Sequence, residues 1–150
     1  MLKVGDKFPE ATLINQDGKK VLLKDFLGKK VVAYFYCRDN TPGCSIESQE
    51  FQRLYPQFKK KGAVVLGICI GTQESHKKFA DKLGLDFDLL VDEGAKLSKK
   101  VGVWKQKSFL GKKFMGIERT TFIINEKGRV EKIFTKVRPI GHAEKVLESL

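Results

Sequence analysis

Two runs of this chain are almost continuously apolar: Val31-Val32-Ala33-Tyr34-Phe35-Tyr36, and residues 63–70. Both are rich in β-branched and aromatic residues, the pattern of strands covered on both faces. Between them, residues from Pro42 onward place Ile46, Phe51, Leu54 and Tyr55 at helical spacing. Pro56 is expected to end or kink that helix, with one further turn reaching Lys61-Gly62. Strand, helix and strand make a β-α-β unit whose crossover should be right-handed.

The flanking segments continue the alternation. Residues 11–14 and 21–23 read as a hairpin around Gln16-Asp17-Gly18, and residues 24–27 as one helical turn closed by Gly28. A helix is expected over 72–83, with Phe79 and Leu83 inward and Gly84 as C-cap. A short strand at 89–91 and a short helix at 95–101 follow. Residues 102–116 read as a long Gly- and Lys-containing loop around the only tryptophan, Trp104. Residues 120–125 and 129–134 form a second hairpin around Glu126-Lys127-Gly128, and a last helix runs over 142–150. There is no repeat, linker or low-complexity segment, so one domain over 1–150 is expected.

The chemistry gathers where the first apolar run meets the helix. Thr41 suits the N-cap and Pro42 the first helical position, which leaves Cys44 third in the first turn, facing unpaired backbone N–H groups. That setting favours a thiolate, the nucleophilic form of cysteine.

Composition changes this picture little. The chain has 150 residues, 41% hydrophobic and 31% charged, enough for a real core in a globular protein. No stretch approaches the roughly 20 apolar residues of a membrane span, so no membrane partner is expected. The N-terminus lacks the apolar centre of a signal peptide, and a cytoplasmic location is expected. Three cysteines are too few, and odd in number, for a secreted disulfide framework. The net charge of +11 comes from 29 basic against 18 acidic residues. Short lysine clusters are spread along the whole chain with no arginine stripe, which reads as a solvated surface rather than a specific nucleic-acid site.

A β-α-β unit followed by a hairpin and a C-terminal helix is the thioredoxin-like arrangement: α/β, with a central mixed β-sheet flanked by helices. Ligands in such sheets gather at the carboxyl ends of the parallel strands, where Cys44 and Cys69 both fall. Thr41-x-x-Cys44, the preceding Asp39-Asn40, and Gly116-Ile117-Glu118-Arg119-Thr120-Thr121-Phe122 resemble the peroxiredoxins. More narrowly they resemble the Q-type, or bacterioferritin comigratory protein, subfamily. Val4-Gly5-Asp6-Lys7-Phe8-Pro9, Glu74-Ser75-His76-Lys77-Lys78-Phe79, Gly102-Val103-Trp104 and Gly141-His142-Ala143-Glu144 extend the likeness nearly end to end.

The resemblance implies a thiol peroxidase in which Cys44 attacks a peroxide and becomes a sulfenic acid. A free cysteine near pKa ~8.5 must shift by about 2 to 3 units for thiolate to dominate, roughly 3 to 4 kcal/mol. A helix N-terminus supplies only ~0.3–1 kcal/mol, up to ~2, so a cation is needed. The resemblance assigns that role to Arg119. It also assigns Thr41 to the peroxide oxygens, adds the backbone N–H groups of Gly43 and Cys44 as donors, and makes Glu47 the residue that orients the arginine.

Two departures stand out. The family carries proline seven positions before its reactive cysteine, and this chain has Cys37. Many Q-type members place a resolving cysteine five positions after it, where this chain has Gln49; others carry it in the next helix, and residues 75–83 contain none. The enzyme is then either of the one-cysteine kind, reduced by thioredoxin or another external thiol, or it is resolved by Cys37, with Cys69 as the second candidate. Cys37 has a plain structural reading as a small residue shielding the site, and Cys69 as a core hydrophobe.

Other chemistries lack their residues. There is no Cys-x-x-Cys, no zinc-site spacing among the cysteines, His76 and His142, and no Gly-rich phosphate loop. No cofactor or metal is expected. His76 reads as a surface residue, and Trp104, Phe109 and Phe114 as a cover over the pocket or the core edge. Two other function classes remain: a peroxide-sensing relay that hands oxidation from Cys44 to a partner, and a basic binding module that keeps only the fold. A monomer or weak dimer is expected.

Overall fold

The computed structural model describes residues 1–150. Its main sheet is built around the two apolar runs, because burying them requires cover on both faces. The strands are β1 (Thr12–Ile14), β2 (Lys20–Leu22), β3 (Lys30–Phe35), β4 (Ala63–Cys69) and β5 (Asp88–Val91), with β6 (Trp104–Phe109), β7 (Lys112–Ile117), β8 (Thr120–Ile124) and β9 (Val130–Phe134) following. Seven of them form one mixed sheet in the order β2-β1-β5-β4-β3-β8-β9, while β6 and β7 pair as a separate two-stranded ribbon. β3 runs parallel to β4, and β4 to β5; β8 pairs antiparallel with β3. The helices are α1 (Pro42–Lys60), α2 (Gln73–Leu83), α3 (Lys96–Val101) and α4 (His142–Glu148).

Period-two alternation along β3 divides the core in two. Val32, Tyr34 and Tyr36 point to one face, where Phe51, Leu54 and Phe58 of α1, Phe79 of α2 and Val146 of α4 cover them. Val31, Ala33 and Phe35 point to the other, against Phe8, Leu97, Val101 and Phe122. Gly67 of β4 lets the first face close: a Cβ there would lie 2.6 Å from Leu89 Cδ2 and 2.9 Å from the Tyr34 ring.

Three expectations are corrected. α1 runs unbroken through Pro56. Pro56 is solvent-exposed, so the carbonyl it leaves unpaired can meet water, while Phe51, Leu54 and Phe58 hold the helix to the core on either side. The one-turn helix spans Leu23–Phe26 and is a 3-10 turn, with Leu27 outside it. The expected loop at 102–116 is the β6–β7 hairpin, paired from Trp104 with Ile117 to Phe109 with Lys112. Its turn residues Leu110 and Gly111 both have positive φ, 50° and 77°. The Asn-Gly or Asp-Gly pair that normally announces such a turn is missing, and lysines interrupt the alternation.

Candidate active site

The end of β3, the first turn of α1 and the β7–β8 junction converge on Cys44. The side chain is fully buried at the third helical position, directly after Thr41 and Pro42. Its pKa is lowered to about 4. The hydrogen bond from Cys37 is the leading cause; burial opposes it, and the Thr41 hydroxyl, the Arg38 backbone N–H and the Arg119 charge assist. A thiolate therefore dominates at neutral pH. The sequence argument gave the decisive part to the cation, whereas here a neighbouring thiol leads and Arg119 adds to it. Thr41 is also used differently from expectation. It occupies the N-cap position with extended backbone, yet its side chain makes no cap hydrogen bond. Its hydroxyl instead donates to the Arg38 carbonyl at 3.1 Å and stands beside the Cys44 sulfur.

Arg119 sits between β7 and β8 and reaches back to α1. Its Nη1 donates to Glu47 Oε1 at 2.9 Å. Gly43 makes room for the guanidinium: a Cβ on it would lie 3.1 Å from Arg119 Nη2 and 3.3 Å from Pro139 Cγ. Glu47, one turn after Cys44, is buried, and burial pushes its carboxyl up to about 7 against the pull of Arg119. Its Oε2 has no hydrogen-bond partner and lies 4.0 Å from His142 Nε2. Burial, helped by Arg119 and Lys145, lowers His142 to about 4, so the imidazole is neutral at pH 7. Its Nε2 shares a 2.8 Å hydrogen bond with Thr121 Oγ1. Sequence reasoning did not place His142 and Thr121 here, because nothing local links the start of α4 to β8.

Cys37 is the neighbour the sequence flagged. Its thiol is held well above the ordinary range, first by its hydrogen bond to Cys44 and then by burial, while Lys107 and Arg119 pull the other way. Lys107 Nζ lies 3.3 Å from Cys37 Sγ. All three cysteines are free. Cys69 is buried in the core, its thiol 3.6 Å from the Cys37 carbonyl and pushed up by burial to about 12. The structure thus brings together Cys44, Thr41, Gly43, Glu47, Arg119 and Cys37, and sets Cys69 behind them as an un-ionised core thiol.

The family profile described as AhpC/TSA matches residues 4–133. The chain belongs to the AhpC/TSA family of peroxiredoxins. It is 47% identical to the bcp sequence of Helicobacter pylori over 149 residues, covering 99% of this chain and 98% of that one. It is 41% identical to Peroxiredoxin Bcp of Bacillus subtilis over 149 residues, covering 99% and 95%. Among solved structures, a cysteine-to-serine mutant of Xylella fastidiosa PrxQ superposes with a TM-score of 0.95 at 36% identity, covering 99% of this chain and 95% of that one. The fold is thioredoxin-like α/β as expected, and the family is one of thiol-dependent peroxidases.

This peroxiredoxin carries a second polar cluster next to the site. His76, expected at the surface, is fully buried. Its Nδ1 lies 2.6 Å from Asp39 Oδ2 and its Nε2 3.1 Å from the Leu90 carbonyl. Asp39 also accepts from Tyr36 at 2.6 Å and Ser75 at 2.7 Å. Partners on a distant loop and strand hide this histidine inside a helix of polar composition. A polar cavity of about 330 Å³ opens beside Asp39, Asn40 and Ser75. An apolar cavity of about 210 Å³ lies against Val31, Ala33, Leu66 and Ile68, on the sheet face turned away from Cys44, and takes no part in the site.

Proposed function

We propose that this peroxiredoxin reduces hydrogen peroxide and organic hydroperoxides through Cys44. The thiolate attacks one peroxide oxygen; the S–O bond forms as the O–O bond breaks, and the departing oxide takes up a proton to leave as water or alcohol. Sulfur is oxidised by two electrons to the sulfenic acid and the peroxide is reduced by two. In this reading Thr41 and Arg119 hold the peroxide oxygens and the charge that moves onto the departing one. The observation that carries this reading is a buried Cys44 whose pKa of about 4 comes from donors converging on one sulfur. The whole chain acts as one domain, as a monomer or weak dimer in the cytoplasm.

For the return step we infer that Cys37 resolves the sulfenic acid. While Cys44 is a thiolate, the hydrogen bond to it and its negative charge both keep Cys37 protonated. Oxidation of Cys44 to the neutral sulfenic acid removes both influences and leaves Lys107 and Arg119 to favour ionisation. The Cys37 thiolate then attacks the Cys44 sulfur, an S–S bond forms, and hydroxide departs with the proton from Cys37 as water. A thioredoxin-class or other external thiol reduces the disulfide.

Peptide mass mapping after about one equivalent of hydrogen peroxide, with a sulfenic-acid trap present, tests both steps. A Cys37–Cys44 disulfide is expected. Trapped sulfenic acid on Cys44 alone would overturn the resolving role, and an unmodified Cys44 would overturn the peroxidase reading itself.

A further inference from the structure

The β6–β7 hairpin stands apart from the main sheet, with its base at the active site and its tip in solvent. At the base, Lys107 touches Cys37, and the Ile117 carbonyl lies 3.4 Å from the Cys37 sulfur. Leu110 follows Lys107 by three residues, roughly 10 Å of strand. The tip carries large apolar side chains that nothing covers: Phe109 is 67% and Leu110 87% exposed, with Phe114 and Met115 about half exposed behind them. Isolated exposed apolar residues are ordinary, but Phe109 and Phe114 are diagonal neighbours on one face of this ribbon, with Leu110 at its tip and Met115 on the opposite face.

The charge on the same ribbon is of one sign. Residues 104–117 contain four lysines and no aspartate or glutamate. Lys105 is neutralised by Glu118 at 3.0 Å, and Lys112 and Lys113 beside the tip form no ion pair. The turn itself is costly for folding alone. Leu110 has φ of 50°, a left-handed conformation in which Gly, Asn or Asp would be relaxed and in which a leucine is strained. A sequence selected only to close the hairpin gains nothing from a strained leucine in water.

We propose that this hairpin is an interfacial anchor for an anionic phospholipid bilayer. Phe109 and Leu110 enter the boundary between headgroups and acyl chains, and Lys112 and Lys113 meet the lipid phosphates. An apolar wedge flanked by unpaired lysines fits an anionic lipid surface on both counts, whereas a folded acidic partner would account for the lysines but would need a pocket shaped for the protruding leucine. No helix is long and apolar enough to cross a membrane, so the contact is peripheral. It brings the Cys37–Cys44 end of the molecule to the lipid surface, but it does not depend on the peroxidase reading and is tested separately from it.

The test is co-sedimentation of the full-length chain with vesicles of phosphatidylcholine alone, and of phosphatidylcholine containing about one third phosphatidylglycerol. Binding only to the anionic vesicles is expected. Leu110→Ser should weaken it about tenfold, and Lys112→Gln and Lys113→Gln about fivefold each. Hydrogen peroxide reduction in solution should stay at the unsubstituted rate in all three, which shows that they fold. Absence of vesicle binding would overturn the proposal. So would binding that Leu110→Ser leaves unchanged, since that is the diffuse effect of a +11 chain, and so would hairpin-dependent capture of an acidic protein without any binding to vesicles.

Discussion

Lys107 holds its ammonium 3.3 Å from the Cys37 sulfur, so the second thiol of the site has a cation of its own. A cation at that distance favours the thiolate once the competing charge on Cys44 is gone. Lys107→Met should therefore slow disulfide formation by about tenfold while leaving sulfenic acid formation at its original rate. Rapid-quench mass spectrometry separates the two steps. Equal slowing of both would mean that Lys107 supports the pocket as a whole and does not act on Cys37.

The ionisation of Cys44 can be read from its alkylation rate against pH. With the pKa lowered to about 4, that rate should be flat across the neutral range and fall only as pH approaches 4 from above. Cys37→Ala removes the leading donor and should raise the midpoint by roughly 1 to 2 units. Thiolate still dominates at pH 7 in that variant, so the first oxidation proceeds while the internal disulfide is lost. A midpoint unmoved in Cys37→Ala would contradict the hydrogen bond on which the return step rests.

Gly43 and Arg119 form a contact that one methyl group can break. A Cβ on Gly43 would meet Arg119 Nη2 at 3.1 Å and Pro139 Cγ at 3.3 Å. The guanidinium must then move, and it is already tied to Glu47. Gly43→Ala should lower the rate constant for peroxide without altering the denaturant slope. Arg119→Ala should cost more, about 10²- to 10³-fold, the usual loss on removing one donor to a developing oxyanion. Stopped-flow oxidation of the two variants compares them directly.

Glu47 makes stability depend on pH in an identifiable direction. Its folded pKa of about 7 stands above an unfolded value of ~4.3. Its contribution is fully present below ~4.3 and is lost as pH rises to about 7. His142, lowered to about 4, acts in the opposite sense, its contribution being lost as pH falls below ~6.5. Denaturant midpoints for the unsubstituted chain and for Glu47→Gln isolate the first effect. The difference between them should widen in favour of Glu47→Gln up to pH 7 and then level off.

What the sequence made legible follows the range of the signal. β3, β4, α1 and the position of Cys44 depend on neighbours within a few residues, and apolar runs, Thr-Pro and helical spacing report these directly. Arg119 lies 75 residues further on, and only its Gly-Ile-Glu-Arg context, through family resemblance, joined it to Cys44. The pairing of His142 with Thr121, the contact of Lys107 with Cys37 and the burial of His76 have no local signature. Each joins elements that meet only after the sheet has formed. The β6–β7 hairpin was hidden for a different reason: half of its strand residues are lysine, serine or glycine, and its turn uses a residue unsuited to the conformation.

His76 and Asp39 are a buried pair that does not touch the reacting sulfur but anchors the loop leading into it. Asp39 stands two residues before Thr41, and its carboxylate takes hydrogen bonds from Ser75 and Tyr36 besides facing His76. Burial works against its charge, but these partners win and hold its pKa below the ordinary range. Its stabilising contribution is therefore present above ~3.9 and lost as pH falls further. Asp39→Asn removes the charge and leaves His76 Nδ1 and the Ser75 hydroxyl in a buried site with one poorer acceptor. It should destabilise the fold by about 2–4 kcal/mol. The loop it anchors also supplies the Arg38 N–H and the Thr41 hydroxyl to Cys44, so the alkylation midpoint of Cys44 should rise in the same variant. Lost stability with an unmoved midpoint would confine Asp39 to holding the fold; both changes together make it a positioning residue for the reactive thiolate.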